Sequence, residues 1–261
     1  RSAIDGAQVN QLSDKISTVL TETLTETAIN KTEDLINQKV NEVVNSVGHG
    51  KTEISWRQLE TKNPEFNIKT IQPLSDLTDE STQLTFTQAQ VRSGENHGER
   101  RATINLGIGQ RYLLEDGQSI AGINLFTDYE TESKHSRASL GLEYQRANFS
   151  ANANQYYPLS NKVVIGDYTE EPLAGHDFRL TGQVPYLPWA QFNFTGYEHE
   201  KDIATEDAEG RKYGLELSIT PSLIFEAEYD ESRNNGGDDV SNAKIIFVYP
   251  PRSKRSSMQD E

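Results

Sequence analysis

The sequence predicts an all-β protein, a twelve-stranded antiparallel transmembrane β-barrel with a preceding N-terminal amphipathic helix. Three observations predict this class. Apolar and polar residues alternate with a period of two between residues 51 and 249, long and short connections separate the alternating segments in turn, and tyrosines recur near the segment ends. A period of two is typical of strands with one apolar face. The 261 residues divide into a helical segment at 1–47, periplasmic or associated with the pore, a barrel at 48–249 and the start of a linker at 250–261.

Composition narrows the possible functions. The formal net charge is −15, which argues against binding to nucleic acid. Cysteine is absent, so neither a disulfide framework nor a thiolate metal site can form. No stretch approaches the ~18 consecutive apolar residues of a membrane-spanning helix, whereas membrane-spanning strands need no such run.

Apolar residues in the first part of the chain recur at spacings of three and four, which predicts an amphipathic helix. They are Leu12, Ile16, Val19, Leu20, Leu24, Leu35, Ile36, Val40, Val43, Val44 and Val47. Threonine is frequent in 17–27, and this β-branched residue leaves an extended conformation open for that stretch. Gly48 and Gly50 supply a stop signal for the helix.

The alternating segments are each close to the ~9–11 residues that a tilted membrane strand requires. The twelve strands are expected near 51–60, 65–72, 82–91, 101–112, 118–129, 135–146, 148–157, 176–184, 189–198, 211–220, 222–230 and 242–249.

The two faces of these strands differ in chemistry. One face is apolar, as at Ala102, Ile104, Leu106 and Ile108, and is expected to meet lipid. In a soluble sandwich the polar face would meet bulk water, and its glycines would weaken exposed strands. In a closed membrane barrel the polar face lines the lumen, where glycine makes room for bulky polar neighbours or for a chain threaded through the pore. The expected lumen-lining residues are Asn105, Gly107, Gly109, Arg111, Asp128, Arg137, Gly141, Glu143 and Arg179, and the same phase continues at Asn124, Asn152, Asn154, Gln183, Glu216, Glu226 and Glu228.

Connection lengths also favour a membrane barrel, since outer-membrane barrels have long extracellular loops and short periplasmic turns. From a periplasmic N-terminus, the long connections on the outer side are 92–100, 130–135, 158–175, 199–210 and 231–241. The short connections on the inner side are 113–117, 146–147, 185–188 and 220–221. The first pair, 61–64 outside and 73–81 inside, breaks this rule.

Tyrosines mark the ends of the predicted strands. Tyr112, Tyr144 and Tyr249 lie on the short-turn side, and Tyr129, Tyr157, Tyr213 and Tyr229 on the long-loop side, all in the apolar phase. Amphipathic rings prefer the membrane interface, so these seven residues are expected to form two aromatic girdles. A mere preference of tyrosine for strands would instead spread the rings along the strand interiors.

Long ordered motifs occupy three stretches between residues 104 and 188: INLGIGQRYLLEDGQSIAGINLFTDYE, RASLGLEYQRANFSANANQYYPLS and DYTEEPLAGHDFRLTGQVPYLP. They closely resemble the translocation domain of the intimin and invasin family of inverse autotransporters, most strongly over 101–188 and more broadly over 28–249. The matching residues are Asn105, Leu106, Gly107, Gly109 and Arg111; Phe126, Asp128 and Tyr129; Leu140, Gly141, Glu143 and Tyr144; 149–160; Asp167, Tyr168, Glu170, Pro172, Ala174 and Gly175; and Asp177, Arg179 and Pro185.

This resemblance implies a twelve-stranded barrel in the outer membrane of a Gram-negative bacterium, with a periplasmic N-terminus. It also implies partners: outer-membrane lipid and lipopolysaccharide, the barrel-insertion machinery, and a C-terminal passenger that is drawn out through the lumen and contacts any host receptor. The last strand ends in alternating aromatics, Phe247 and Tyr249, as insertion signals do, although Lys244 stands where glycine is usual. The family's Glu-Arg-Pro loop motif is Glu170-Glu171-Pro172 here.

No enzyme motif is present: there is no nucleophile elbow, phosphate loop or metalloprotease signature, and nothing indicates a cofactor. The charged residues expected in the lumen are interpreted as groups that hold the barrel's shape and form a polar lining for a threaded segment. The alternative is that they are ordinary charged side chains of solvated strands. Four histidines near the outer loops are expected to be solvated and not to bind metal, because they lack convergent ligands. They are His97, His135, His176 and His199.

Three functions compete on this basis. The first is an outer-membrane translocator that exports and anchors a C-terminal adhesin passenger, and the second is a passenger-free porin-like or ligand-holding barrel. The third is a soluble barrel around an apolar ligand, which would leave the lumen glycines and the tyrosine rows unexplained.

Overall fold

The computed structural model describes residues 50–57, 65–75, 78, 80–96, 99–165, 167–202, 207–232 and 239–252. The predicted helix at 1–47 and all but the first residues of the predicted linker lie outside this part of the chain. Among the described residues, no helix is long and apolar enough to cross a membrane.

Twelve antiparallel strands close into a barrel because the first strand pairs with the last, with Thr52 opposite Tyr249. This closure confirms the predicted all-β barrel and its strand count. In chain order the strands are β1 (Lys51–Arg57), β2 (Glu65–Pro73), β3 (Gln83–Asn96), β4 (Glu99–Leu114), β5 (Ser119–Glu130), β6 (Ser136–Arg146), β7 (Phe149–Pro158), β8 (Val163–Ile165), β9 (Tyr168–Glu170), β10 (Ala174–Val184), β11 (Leu187–Glu200), β12 (Ala208–Ser218), β13 (Leu223–Ser232) and β14 (Val240–Tyr249). Among the strands that the structure describes, only β8 and β9 stand outside the barrel, as a separate hairpin.

The two ends of the barrel carry different connections. We call the end with the connection between β7 and β10 the loop end and the opposite one the turn end. Connections at the loop end span 58–64, 97–98, 131–135, 159–173, 201–207 and 233–239. Connections at the turn end span 74–82, 115–118, 147–148, 185–186 and 219–222. The turn at Glu115–Gly117 is a 3-10 turn in which Gly117 has a φ of +94°, a conformation that favours glycine.

One predicted long connection is wrong. Residues 92–100 are not a loop: β3 and β4 continue pairing until Asn96 lies opposite Glu99, so only 97–98 connect them. The alternation of apolar and polar residues weakens in this charged stretch, and cross-strand pairing maintains the strands without it.

The outer face of the barrel carries the apolar phase. Leu106, Ile108, Leu125 and Leu142 are each at least half exposed. Ala102, expected to meet lipid, is instead buried, because the connection after β5 hydrogen-bonds to its backbone: Thr131 N donates to Ala102 O at 2.9 Å. The same face is also buried at the seam where β14, β1 and β2 meet, around Ile54, Trp56, Phe66 and Phe247.

Candidate functional site: the polar lumen

The inner face of the barrel encloses a cavity of about 850 Å³. Of the nine residues first expected to line the lumen, the six that are not glycine border this cavity: Asn105, Arg111, Asp128, Arg137, Glu143 and Arg179. Further polar and charged side chains complete the lining, among them Lys69, Gln88, Gln90, Arg92, Asn124, Asn152, Asn154, Tyr156, Asp177, Lys212 and Glu228. The cavity is therefore polar along much of its wall.

A bidentate ion pair in this wall spans three strands. Arg111 on β4 donates from Nε and Nη2 to the two carboxylate oxygens of Glu143 on β6, at 2.6 and 3.0 Å. Gly122 on β5 lies between them in register, opposite both residues. A Cβ on Gly122 would lie 2.4 Å from Glu143 Oε1, so the pair can cross β5 only because this residue has no side chain. Sequence analysis did not single out Gly122, since only the register reveals its position.

A second network surrounds Asp128. Asn105 Nδ2 donates to one carboxylate oxygen of Asp128, and Arg137 Nη2 donates to the other at 2.9 Å. The Arg137 guanidinium also lies over the ring of Tyr156, 4.9 Å from its centroid, and the Tyr156 hydroxyl donates to Asp177. Paired in this way, the charges stay hydrogen-bonded in a partly desolvated lumen.

Aromatic side chains fill the space beside the lumen glycines. A Cβ on Gly107 would lie 1.8 Å from Phe126, and one on Gly109 would lie 2.3 Å from Phe86. Two explanations were considered for these glycines: space for bulky neighbouring side chains, or space for a threaded chain. The structure supports the first, because the phenylalanine rings occupy the space. Sequence analysis did not expect either phenylalanine in the lumen, because it assigned polar residues and glycines to that face and both residues are apolar. A Cβ on Gly141 would likewise contact the Asn124 and Asn154 side chains.

The connection between β7 and β10 folds over the loop end of the lumen. Arg101 is buried, and its Nη1 contacts Glu170 of this connection at 2.6 Å and Glu130 at 3.6 Å. Lys162 contacts Glu171 at 3.6 Å. The connection thus forms ion pairs even though glutamate replaces arginine in its Glu-Arg-Pro motif. Its residues 170–173 line a second cavity of about 350 Å³ together with Arg92, Arg101 and Arg137.

At the turn end, the chain that leaves β14 crosses to the turn between β12 and β13, and the Arg252 side chain reaches the inner face. Arg252 N donates to Pro221 O at 2.9 Å, and Arg252 Nη1 contacts Glu216 Oε1 at 3.0 Å. Glu216 lies on the inner face, because it follows cavity-lining Lys212 by four residues on the same strand. Sequence analysis placed Glu216 in the polar phase but did not anticipate this partner.

The seven predicted girdle tyrosines occupy different environments. Tyr112, Tyr129, Tyr157 and Tyr229 are exposed, at 42% or more. The other three are partly buried: Tyr144 lies beside Phe149 (centroids 5.8 Å apart), Tyr213 beside Phe194 (5.6 Å), and Tyr249 packs against the seam cluster. Trp189 and Tyr186, not anticipated, are also exposed near the turn end.

The described histidines do not converge on a metal site. His176 Nε2 lies 4.0 Å from Glu198, and the His199 ring stacks on Tyr197 with centroids 5.6 Å apart. Within the described ranges, no group of three or more histidine, aspartate or glutamate side chains is arranged to hold a metal ion. His97 lies outside these ranges.

A closed antiparallel barrel with an apolar outer face and a polar, ion-paired interior is a transmembrane β-barrel. Residues 3–248 match the family model described as the inverse autotransporter β-domain, and the chain belongs to this family. Membership places the protein in the outer membrane, in a family of translocators and adhesins and not of enzymes.

Curated relatives are similar over part of the chain. The inverse autotransporter adhesin YeeJ of Escherichia coli K12 is 27% identical over 174 residues, 62% of this chain and 7% of the relative. Intimin of Citrobacter freundii is 35% identical over 101 residues, 36% of this chain and 10% of intimin. The chain thus spans a tenth or less of the length of these relatives.

A solved structure shares the fold. It is described as "Unveiling the Mechanism Behind the in-meso Crystallization of Membrane Proteins", and the two chains superpose with a TM-score of 0.67 at 22% identity. The match covers 77% of this chain and 83% of the other. At this identity the similarity shows the fold alone.

Proposed function

We propose that this barrel exports and anchors a C-terminal adhesin passenger, which leaves the periplasm through the barrel lumen. The observation that carries this proposal is the path of the chain after the last strand. Beyond Tyr249 the backbone binds the turn between β12 and β13 at Pro221, and the Arg252 side chain reaches Glu216 on the inner face. A chain that continued from this point would pass along the cavity towards the loop end.

The lumen suits an extended polar segment. Several of its carboxylates are paired with nearby bases, as in Arg111 with Glu143 and Arg137 with Asp128. Paired charges attract a passing segment less than bare ones, because their fields largely cancel beyond a few ångströms. Hydrogen-bonding side chains along the wall replace water contacts of the moving backbone.

The proposed orientation places the loop end outside the cell and the N-terminus in the periplasm. Both the start of β1 and the end of β14 lie at the turn end, since Thr52 pairs with Tyr249. Long extracellular loops and short periplasmic turns are typical of outer-membrane barrels, and the longest connection here, 159–173, lies at the loop end.

The proposal extends to the partners. The exposed apolar face would meet membrane lipid, and the tyrosines at the loop end would lie at the lipopolysaccharide interface. The final strand would be recognised by the barrel-insertion machinery, and any host receptor would contact the passenger alone. A passenger-free porin-like barrel would also have a polar cavity, but it would not explain why the Arg252 side chain reaches the inner face.

Surface display tests the proposed function. The full chain, extended after Glu261 by a folded reporter with an epitope, would be expressed in a Gram-negative host. Antibody should label the epitope on intact cells, and external protease should remove it. Folding of the barrel is checked independently by its heat-dependent gel mobility. A folded barrel whose reporter becomes accessible only after the outer membrane is opened would refute export.

A further inference from the structure

Two carboxylates face each other across the inner wall near the turn end. Glu216 on β12 lies directly opposite Glu226 on β13, and both side chains are largely buried, with 13% and 4% exposed. Like charges directly opposite each other destabilise a sheet, since their Cβ atoms are only about 4.5–5.5 Å apart. Two neighbouring cations relieve this repulsion.

The barrel wall supplies one of these cations. Lys244 on β14 lies opposite Glu226 and contacts it at 2.9 Å. Lys244 thus neutralises one of the two opposed carboxylates. Other lumen carboxylates are also paired with bases on neighbouring strands, such as Asp230 with Lys212 at 3.0 Å.

The second cation comes from beyond the barrel. Arg252 follows the last strand, and its guanidinium contacts Glu216 while its backbone N–H binds Pro221 O in the turn between β12 and β13. Two independent contacts thus fix both the side chain and the backbone of this residue. They hold Arg252 between the turn and the inner face of the barrel.

We propose that Glu216, set against Glu226, is a recognition site in the barrel wall for the first basic residue of the exported segment. This inference rests on the proposed function. The site selects the lumen over the periplasm as the path of the chain, because a cation is needed there to neutralise the opposed carboxylates. Basic residues continue in the sequence at Lys254 and Arg255, and the acidic inner face continues along β13 at Glu228, which lines the cavity.

A single introduced thiol can report whether this segment is docked. The chain contains no cysteine, so Ser253→Cys provides a unique site next to Arg252. The probe is a polyethylene glycol maleimide too bulky to enter the barrel, applied to the folded full chain in detergent micelles. Docking should make labelling slow. Glu216→Gln should accelerate labelling about tenfold or more, as expected for loss of a charge-assisted contact worth ~1.5 kcal/mol or more.

Charge exchange distinguishes recognition from a general loss of stability. The double variant Glu216→Lys with Arg252→Glu should return labelling close to the slow parental rate. Glu115→Gln removes an exposed ion pair with Arg146 at the turn end and should not change the rate. Gel mobility confirms that each variant is folded, and Glu216→Gln, which adds no new charge, still tests the site if the charge-exchange variant does not fold.

The outcomes separate this proposal from the proposed function. Fast labelling of the parent, or equal rates for the parent and Glu216→Gln, would overturn the recognition site, whatever the result of surface display. If labelling responds as expected but the reporter stays in the periplasm, the site stands as a docking contact and export fails.

Discussion

The ion pair that crosses Gly122 leads to a quantitative prediction. In Gly122→Ala, the new Cβ would lie 2.4 Å from Glu143 Oε1 and 2.7 Å from its Cγ. Both distances are shorter than real Cβ contacts, so the Glu143 side chain must move away. Arg111 would then lose one or both of the hydrogen bonds it now donates at 2.6 and 3.0 Å.

The structure sets the size of the effect. A hydrogen bond to a charged group contributes about 1.5–3 kcal/mol, and the Glu143 side chain is mostly buried, with 12% exposed. Replacing glycine by alanine within a strand by itself stabilises by about 0.5–1 kcal/mol. The free energy of unfolding of Gly122→Ala should therefore fall by about 1–2 kcal/mol.

The assay is guanidinium unfolding of the barrel in detergent micelles, followed by the fluorescence of its two tryptophans, Trp56 and Trp189. Gly182→Ala is the matched control, because nothing lies within 4 Å of a Cβ at this strand glycine, and it should be neutral or slightly stabilising. In a Glu143→Ala background the cost of Gly122→Ala should largely disappear. If Gly122→Ala proved as stable as Gly182→Ala, the proposed crossing of β5 would be wrong.

Three further outcomes are expected. Gly107→Ala should lower the free energy of unfolding by about 1–3 kcal/mol, because its Cβ would overlap the ring of Phe126, and the same guanidinium assay measures it. Arg101→Ala removes the buried contact to the connection between β7 and β10, so trypsin should cleave after Lys162 about tenfold faster in the folded barrel, as judged by mass spectrometry of the fragments. Leu125→Arg, on the exposed outer face, should cost about 2–4 kcal/mol of folding free energy in lipid vesicles.

Each of these outcomes has its own control. Phe126→Leu should partly rescue Gly107→Ala, and a failure to do so would argue against the overlap. Arg146→Ala breaks an exposed ion pair and should leave tryptic cleavage unchanged. Tyr129→Arg lies nearer the strand end and should cost only about 0–1 kcal/mol of folding free energy. If Leu125→Arg cost no more than Tyr129→Arg, the placement of Leu125 deep in the membrane would be wrong.

Alternation along the chain was sufficient to predict the barrel. Side chains on successive strand residues point to opposite faces, so a period of two identifies an apolar face and a polar face without knowledge of the strand partners. It predicted that Leu106 and Leu125 would lie on the exposed side. The alternation failed to predict the strands at 92–100. Charged residues interrupt the pattern there, and the strands are maintained by pairing between β3 and β4.

The contacts inside the lumen depended on the tertiary structure. Cross-strand register places Gly122 between Arg111 and Glu143. It also places Phe126 beside Gly107. Register is decided jointly by turn geometry and barrel closure, neither of which a single strand's sequence encodes.

The same distinction holds at the end of the chain. The sequence by itself determined that Glu216 and Glu226 share the polar phase and that Arg252 follows the last strand. Only the folded barrel brings these three together, because antiparallel pairing of β13 with β14 places the turn between β12 and β13 beside the end of β14. The opposed carboxylates on neighbouring strands attract positive charge, which Lys244 in the wall and Arg252 after the last strand supply. The order of residues along the chain does not reveal this arrangement.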